Sequence, residues 1–323
     1  MTVHAPTIAW ACEKCHEVVS AAAAVIVGKD EQLELILTAL ISGGHVLLED
    51  VPGVAKTLAA QAFAQALGLD FRRIQFVPDL LPGDIMGSFI YDSRAESFKF
   101  MKGPIFANLI LADEINRGTP KTQSALLEAM QEQQVTVEGQ SFALDSPFMV
   151  IATQNPLEFE GTYPLPEAQI DRFISRLSMG YPSPEAECEI LARRQARQAD
   201  VVTLSPVLGK HDFLEIQRAI ETVHVSPDIQ GYIVQIVVKT REDRRAQLGA
   251  SPRGSLALFK LSRSRALMQG RDFVTPDDVK AVAVPGLAHR ILLRPELWAE
   301  RISGETIVRD ALEEVPVPKA DWR

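Results

Sequence analysis

The chain has 323 residues, 46 % hydrophobic and 23 % charged, a balance that excludes disordered, collagen-like and disulfide-stapled polymers and leaves room for about two domains. Forty-two acidic against 33 basic side chains give a net charge of -9, so no global positive potential draws the protein to nucleic acid or anionic lipid. The longest apolar run, Val18 to Val27, is broken by Ser20 and falls short of the about 18 residues of a membrane span.

The N-terminal stretch MTVHAPTIAWACEKC lacks the charged and apolar regions of a secretion signal, so a cytoplasmic location is the expectation. Two helical patterns follow, VVSAAAAVIVG and DEQLELILTALISGG, the second ending in a Gly-Gly stop. From about residue 44 to 181, short apolar runs alternate with helical patterns: HVLLE, TLAAQAFAQALG, FRRIQF, ANLILA, TQSALLEAMQE, FMVIAT and RLSMGY. Near-continuous apolar runs read as strands buried on both faces, which predicts a parallel-sheet α/β domain. Two hairpins interrupt the alternation. One pairs Phe89–Asp92 with Ser97–Met101, and the other pairs Val135–Val137 with Ser141–Leu144 around Glu138-Gly139.

Beyond Tyr181-Pro182-Ser183-Pro184 the pattern turns helical. Ser226-Pro227, Ser251-Pro252 and Thr275-Pro276 each set a capping hydroxyl before a proline at a first helical position. The division expected is an α/β core with N-terminal helices over 1–182 and an all-helical domain over 183–323.

In HVLLEDVPGVAKTLAAQ a strand runs through a tight loop into a helix, the context of a phosphate-binding loop. Backbone amides of such a loop surround phosphates, Lys56 reaches the outer phosphates of ATP, and the Thr57 hydroxyl binds Mg²⁺. Asp50 and Ala55 stand where the pattern GxxxxGK[ST] has glycines, so only Gly53 is free of a side chain. The Ala55 methyl asks the loop to avoid a glycine-only conformation, and the Asp50 carboxylate must point away from phosphate. About 55 residues on, ANLILADEINR ends a buried strand in Asp113-Glu114. This suits a metal-holding acid followed by one that orients the attacking water. FMVIATQNP ends another strand at Asn155, placed to bond that water or the γ-phosphate.

The segments EDVPGVAKT, QFVPDLLPGDIMGS, GPIFANLILADEINR, KTQSALLEAMQE, ATQNP and LPEAQIDRF together resemble the MoxR family of AAA+ ATPases over nearly the whole chain. The resemblance implies an AAA+ P-loop core with a parallel five-stranded sheet, a helix-2 insert and a pre-sensor hairpin, followed by the helical lid. It implies a Walker A loop contributed by Pro52, Gly53, Val54, Ala55, Lys56, Thr57 and Leu58. Asp113 and Glu114 match Walker B, Asn155 matches sensor 1, and Arg172 in IDRF matches an arginine finger that reaches the neighbouring subunit. Arg253 matches the lid's sensor 2, with action in cis or in trans left open, and Val27 and Gly28 resemble the stretch that holds adenine. A hexameric ring and a client with a von Willebrand factor A domain are further implications. Arg176 and Arg117 rank behind Arg172 as trans-acting arginines, and Gln75 is placed to restrain Glu114.

Competing readings are a DNA translocase on a related core and a nucleotide switch without hydrolysis. The hairpin turn Val137–Gln140 carries no Lys or Arg, which disfavours phosphate contact, and the intact Glu114 and Arg172 disfavour the switch. Cys12-Glu13-Lys14-Cys15-His16 spells a haem-attachment pattern, but it leads straight into a helix. It also offers one ligand fewer than structural zinc uses, so two free thiols are expected. The basic clusters Arg193-Arg194-Arg197 and Arg241-Arg244-Arg245 are expected on solvated helix faces.

Overall fold

The computed structural model describes residues 7–156, 161–199, 202–297 and 302–319. The Thr7 hydroxyl caps α1 (Ile8–Ala23), and α2 (Asp30–Ile41) follows with Leu33, Ile36, Leu37 and Leu40 sealed from water along one face. The core then alternates as the apolar runs predict. β1 (Val46–Glu49) leads to α3 (Lys56–Ala66), then β2 (Phe71–Gln75), the short α4 (Pro82–Met86), and the hairpin β3 (Gly87–Asp92) and β4 (Ser97–Lys102). β5 (Leu109–Asp113) and α5 (Pro120–Glu132) precede the second hairpin, β6 (Gln134–Val137) and β7 (Gln140–Ala143). β8 (Met149–Gln154), α6 (Glu167–Ile170) and β9 (Ser175–Leu177) complete the core.

The sheet is five-stranded and wholly parallel, in the order β2-β5-β8-β1-β9. Alternation along β1 explains why it is apolar throughout. Val46 and Leu48 face the layer of α1, α2 and α3, and Leu47 faces the layer holding α5. Because the strands are parallel, their polar tips at Glu49, Gln75, Asp113 and Gln154 emerge at one end of the sheet. β9 is shorter than RLSMGY predicts, because Ser178 and Gly180 leave the sheet to hydrogen-bond the Asp50 carboxylate.

Both hairpins stand off the sheet, and aromatic rings join them. Phe100 stacks on Phe142 with ring centres 4.0 Å apart, and Phe89 and Phe106 pack around that pair. Tyr91 and Phe98 meet edge to face near the tip of the first hairpin and stay more than half exposed.

Beyond β9 the chain continues as the helices α7 (Pro184–Arg197), α8 (Lys210–Ile220), α9 (Pro227–Glu242), α10 (Pro252–Met268), α11 (Pro276–Leu287) and α12 (Gly304–Glu314). Ser226 and Ser251 cap the helices that begin at the following prolines, as predicted, Thr275 stands at the N-cap of α11 with its amide held by Asp278, and Ser183 caps α7 in the same manner as Ser226 and Ser251. A small antiparallel ribbon of β10 (Ala246–Leu248) and β11 (Leu292–Leu293) is added to the helices. The basic clusters are not merely solvated. Arg193 donates to the Ala23 and Ala24 carbonyls at the end of α1, Arg241 to Ala250, and Arg245 pairs with Asp243 and Asp310.

Cys15 is buried against the core, whereas Cys12 donates to the Met268 carbonyl and lies 3.9 Å from His16, so the three side chains do not converge. Among the described residues no group of His, Cys, Asp or Glu is arranged to hold a metal, and no helix is long and apolar enough to cross a membrane.

His45 locks β1 into this frame. Its Nε2 donates to the Met130 carbonyl at 3.1 Å and its Nδ1 accepts from the Val150 amide at 3.0 Å, which requires the neutral ring. Burial pushes its pKa down from 6.5 to about 4, only partly offset by the Met130 bond. The unfolded chain therefore takes up a proton that the folded chain refuses, and stability present at neutral pH falls as pH drops through 6.5 towards 4. We expect a lower urea midpoint at pH 5 than at pH 7 while the His45 ring resonances remain those of neutral imidazole. A His45 titration centred above pH 6 would contradict this account.

Candidate functional site

The loop from Asp50 to Ala55 turns the chain from β1 into α3, and it does so with two left-handed residues, Gly53 at φ +85° and Ala55 at φ +60°. Ala55 thus carries its methyl in the left-handed helical region. The left-handed region costs a non-glycine residue about 1–2 kcal/mol but is sterically open, and the cost is borne here to aim the first amides of α3 into the loop. Pro52 and Gly53 are exposed, Val54 is buried beneath them, and Leu58 lies on the partly open side of α3.

The Asp50 carboxylate turns away from the loop mouth. It accepts from Gly180 N at 2.6 Å, Ser178 Oγ at 2.8 Å and Val51 N at 2.8 Å. Burial raises its pKa, but these bonds and the nearby Lys56 outweigh burial and hold it below the usual carboxylate value. The side chain that replaces the first glycine has thereby become a clasp between the loop and the segment after β9.

Lys56 reaches over the loop and donates to the carbonyls of Asp50, Val51 and Gln154, the last two at 3.3 and 3.4 Å. Burial lowers its pKa against the pull of Asp50, Asp113, Glu114 and Glu49. Next to it, Thr57 Oγ1 lies 3.2 Å from Asp113 Oδ2 at the tip of β5. Asp113 also accepts from Thr153 Oγ1 at 2.6 Å and from Arg73 Nε and Nη2 at 2.9 and 2.7 Å.

Glu114 follows at φ +55°, a strained left-handed position of the kind that clusters at functional sites. Its carboxylate is gripped by Gln75 Nε2 at 2.7 Å and Arg117 Nη1 at 3.0 Å. The expected contact between Gln75 and Glu114 is therefore present. Asn155 lies one residue past β8, its carbonyl 3.4 Å from Asn116 Nδ2. Arg73 and Thr153 were missed in the sequence. Arg73 shares a strand face with Gln75 two residues on, the signal that would have found it.

Val27 and Gly28 join the loop through an intermediary. The neighbouring Lys29 donates to the Tyr181 carbonyl at 2.8 Å, in the same segment whose Gly180 holds Asp50, and Gly28, at φ +69°, packs closely on Ala186.

Arg172 and Arg253 lie elsewhere. Both line a cavity of about 210 Å³ with Gly43, Gly44 and Lys260, at the end of the sheet where β1 and β9 begin. The loop lies at the other end of β1, whose four residues span about 13 Å. Arg253 sits in the first turn of α10, 3.6 Å from Asp171, and Arg172 makes no side-chain hydrogen bond or ion pair among the described residues. The rival arginines are engaged at the loop end, Arg117 by Glu114 and Arg176 by Glu49 at 3.1 Å.

A parallel sheet in this order, a Lys-Thr loop after β1, an acid pair at the tip of β5 with only β8 between those two strands, and a helical lid define an AAA+ type nucleotide-binding protein. The model of the ATPase family associated with various cellular activities matches residues 45–175, and that of the AAA lid domain matches residues 238–311. The chain is 52 % identical to the uncharacterized protein YeaC of Bacillus subtilis over 91 % of its own length and 92 % of that protein. It is 45 % identical to the Chaperone MoxR1 of Mycobacterium tuberculosis, over 92 % of its own length and 80 % of that protein's. A crystal structure from Cytophaga hutchinsonii, 42 % identical, superposes with a TM-score of 0.89 over 97 % of both chains. The chain belongs to the MoxR family of AAA+ ATPases.

The two left-handed loop residues respond oppositely to substitution. Gly53→Ala is expected to cost about 1 kcal/mol, whereas Ala55→Gly relieves strain and gains about 0.5 kcal/mol despite the freer unfolded chain. Denaturation midpoints moving the same way for both variants would remove the strain assigned to Ala55.

Proposed function

We propose that the protein is a Mg²⁺-dependent ATP hydrolase that works as a ring of identical subunits, a hexamer by family resemblance, and uses turnover to remodel or mature protein clients. One observation carries this reading. Lys56, Thr57, Asp113 and Glu114 converge at one end of the sheet while Arg172 and Arg253 open at the other, so a complete set of charges needs two copies of the chain. Residues 1–182 serve as the nucleotide-binding core and 183–323 as the lid, in a cytoplasmic setting where ATP is supplied.

In this reading the loop Pro52–Leu58 wraps the phosphates with the unpaired amides of α3, and Val27 and Gly28 border the adenine. Lys56 exchanges its carbonyl partners for phosphate oxygens. The Thr57 hydroxyl and the Asp113 carboxylate, two oxygen donors 3.2 Å apart, suit a hard cation. Thr57 and Asp113 would hold Mg²⁺ there, and the ion would supply positive charge to the phosphoryl oxygens. Arg73 must then yield at Asp113.

Glu114 orients a water whose oxygen forms the new bond to the γ-phosphorus as the bond to ADP breaks, and its carboxylate receives the water's proton. Asn155 fixes the water or the γ-phosphate. Arg172 and Arg253 of a neighbouring subunit balance the developing charge, which makes Arg253 a trans-acting residue. Gln75 and Arg117 hold Glu114 back until a client binds. Lid movement is carried to the two hairpins, whose joined aromatic rings leave Tyr91 and Phe98 facing outward for a client.

The relative named as a chaperone supports a protein client, and the family resemblance points to one with a von Willebrand factor A domain. Nucleic acid is disfavoured by the net charge of -9 and by the acidic turn at Glu138.

Glu114→Gln should keep nucleotide affinity and lose at least about 10²-fold in turnover, whereas Lys56→Ala should lose affinity itself. Fluorescent-nucleotide titration beside a phosphate-release assay separates the two, and normal turnover in Glu114→Gln would end its role at the water. Specific activity should rise with protein concentration and then saturate. Arg172→Ala should lose about 10³-fold or more in assembled rings. Full activity in Arg172→Ala would mean that each site is complete within one chain, and absence of hydrolysis at every concentration would favour the nucleotide switch.

A further inference from the structure

Arg290, just after α11 in the lid, has a guanidinium that is 2 % exposed. All five of its N–H donors can be accounted for. Nε donates to Asp171 Oδ1 at 2.7 Å, and Nη2 to the carbonyls of Asp171 at 3.1 Å and Phe173 at 2.8 Å. Nη1 donates to the Ile174 carbonyl at 3.4 Å and to the Gly286 carbonyl. Every one of these contacts except that to Gly286 falls on the four residues between α6 and β9, which include Arg172. His289 adds a bond of 3.0 Å from Nε2 to the Phe173 carbonyl.

Burying a guanidinium is expensive unless each donor is met, and here the partners are one carboxylate and four backbone carbonyls. The residues on either side of Arg172 are therefore clamped by the lid, while the Arg172 side chain itself is held by nothing among the described residues. Its aim depends on its backbone, and Arg290 sets that backbone. Asp171 also faces Arg253 at 3.6 Å, so the exposed Arg253 and the buried Arg290 share a single carboxylate.

We propose that Arg290 is the positioning residue for Arg172: through Asp171 and the Phe173 carbonyl, the lid of one subunit aims the arginine that this subunit offers to its neighbour's nucleotide. The proposal rests on the reading of Arg172 as trans-acting. It predicts that a defect at Arg290 is felt in the next subunit and leaves the variant's own loop sound.

The test uses full-length Arg290→Gln at concentrations where wild-type turnover is saturated, with assembly followed by sedimentation. The expected result is at least a tenfold loss of turnover with nucleotide affinity within twofold of wild type. Mixing before assembly then gives the direction. Lys56→Ala subunits, which have a dead loop and a sound Arg172, should restore hydrolysis to Arg290→Gln, whereas Arg172→Ala subunits should not. A general lid defect cannot produce that asymmetry.

Arg290→Lys, which keeps the charge but cannot span Asp171 and three carbonyls at once, should show the same pattern with a smaller loss, and it serves if the Gln variant fails to fold. Unchanged turnover in assembled rings, or a loss that both partners or neither partner rescues, overturns the proposal. Full activity of Arg172→Ala would instead overturn the reading beneath it.

Discussion

Asp113 is a carboxylate only 7 % exposed at the tip of a fully buried strand, and the surroundings of the candidate site follow from the need to compensate it. A buried charge is tolerated only when it is paired and hydrogen-bonded. Three elements meet that requirement: Thr57 from α3, Thr153 from β8 and Arg73 from β2. The strand order makes this possible, because β5 lies between β2 and β8 and thus has polar neighbours on both sides. Glu114 inherits the arrangement. Its amide donates to the same Thr153 hydroxyl that donates to Asp113, and its carboxylate is held by Gln75, the residue opposite Asp113 on β2.

The loop shows how departures from a glycine-rich pattern are absorbed. A carboxylate at the first glycine position would repel phosphate if it faced the mouth. Here it faces the other way and ties β1 to the chain beyond β9. A methyl at the second position is accommodated by accepting backbone strain at Ala55. Each substitution places its consequence outside the loop's inner surface, so the free amides of α3 remain available.

The opposite end of the sheet is organised by Asp171, which lies at the junction of core and lid and faces Arg290, Arg253 and Ser251. A lid that packs against the base of β9 in this way is mechanically part of the arginine-bearing face. The same geometry separates Arg172 from its rivals, since Arg117 and Arg176 are spent on acids at the loop end.

Local pattern was enough to read much of this molecule. The strand-loop-helix at Lys56-Thr57, the apolar strand ending in Asp113-Glu114, and the Ser-Pro and Thr-Pro starts of α9, α10 and α11 depend on residues within a few positions of one another. Steric and hydrogen-bonding rules act over that range. The pairing of Gln75 with Glu114 was legible for a related reason, because both sit at strand ends that a parallel sheet brings to one edge. What only the tertiary structure decided is how side chains distant in sequence share one charge. Arg73 meets Asp113 across 40 positions and Arg290 meets Asp171 across 119, and the rotation of Asp50 away from the loop depends on an amide 130 residues on. Each such contact is selected by burial and competition among donors in three dimensions, and neither leaves a periodic mark in the chain.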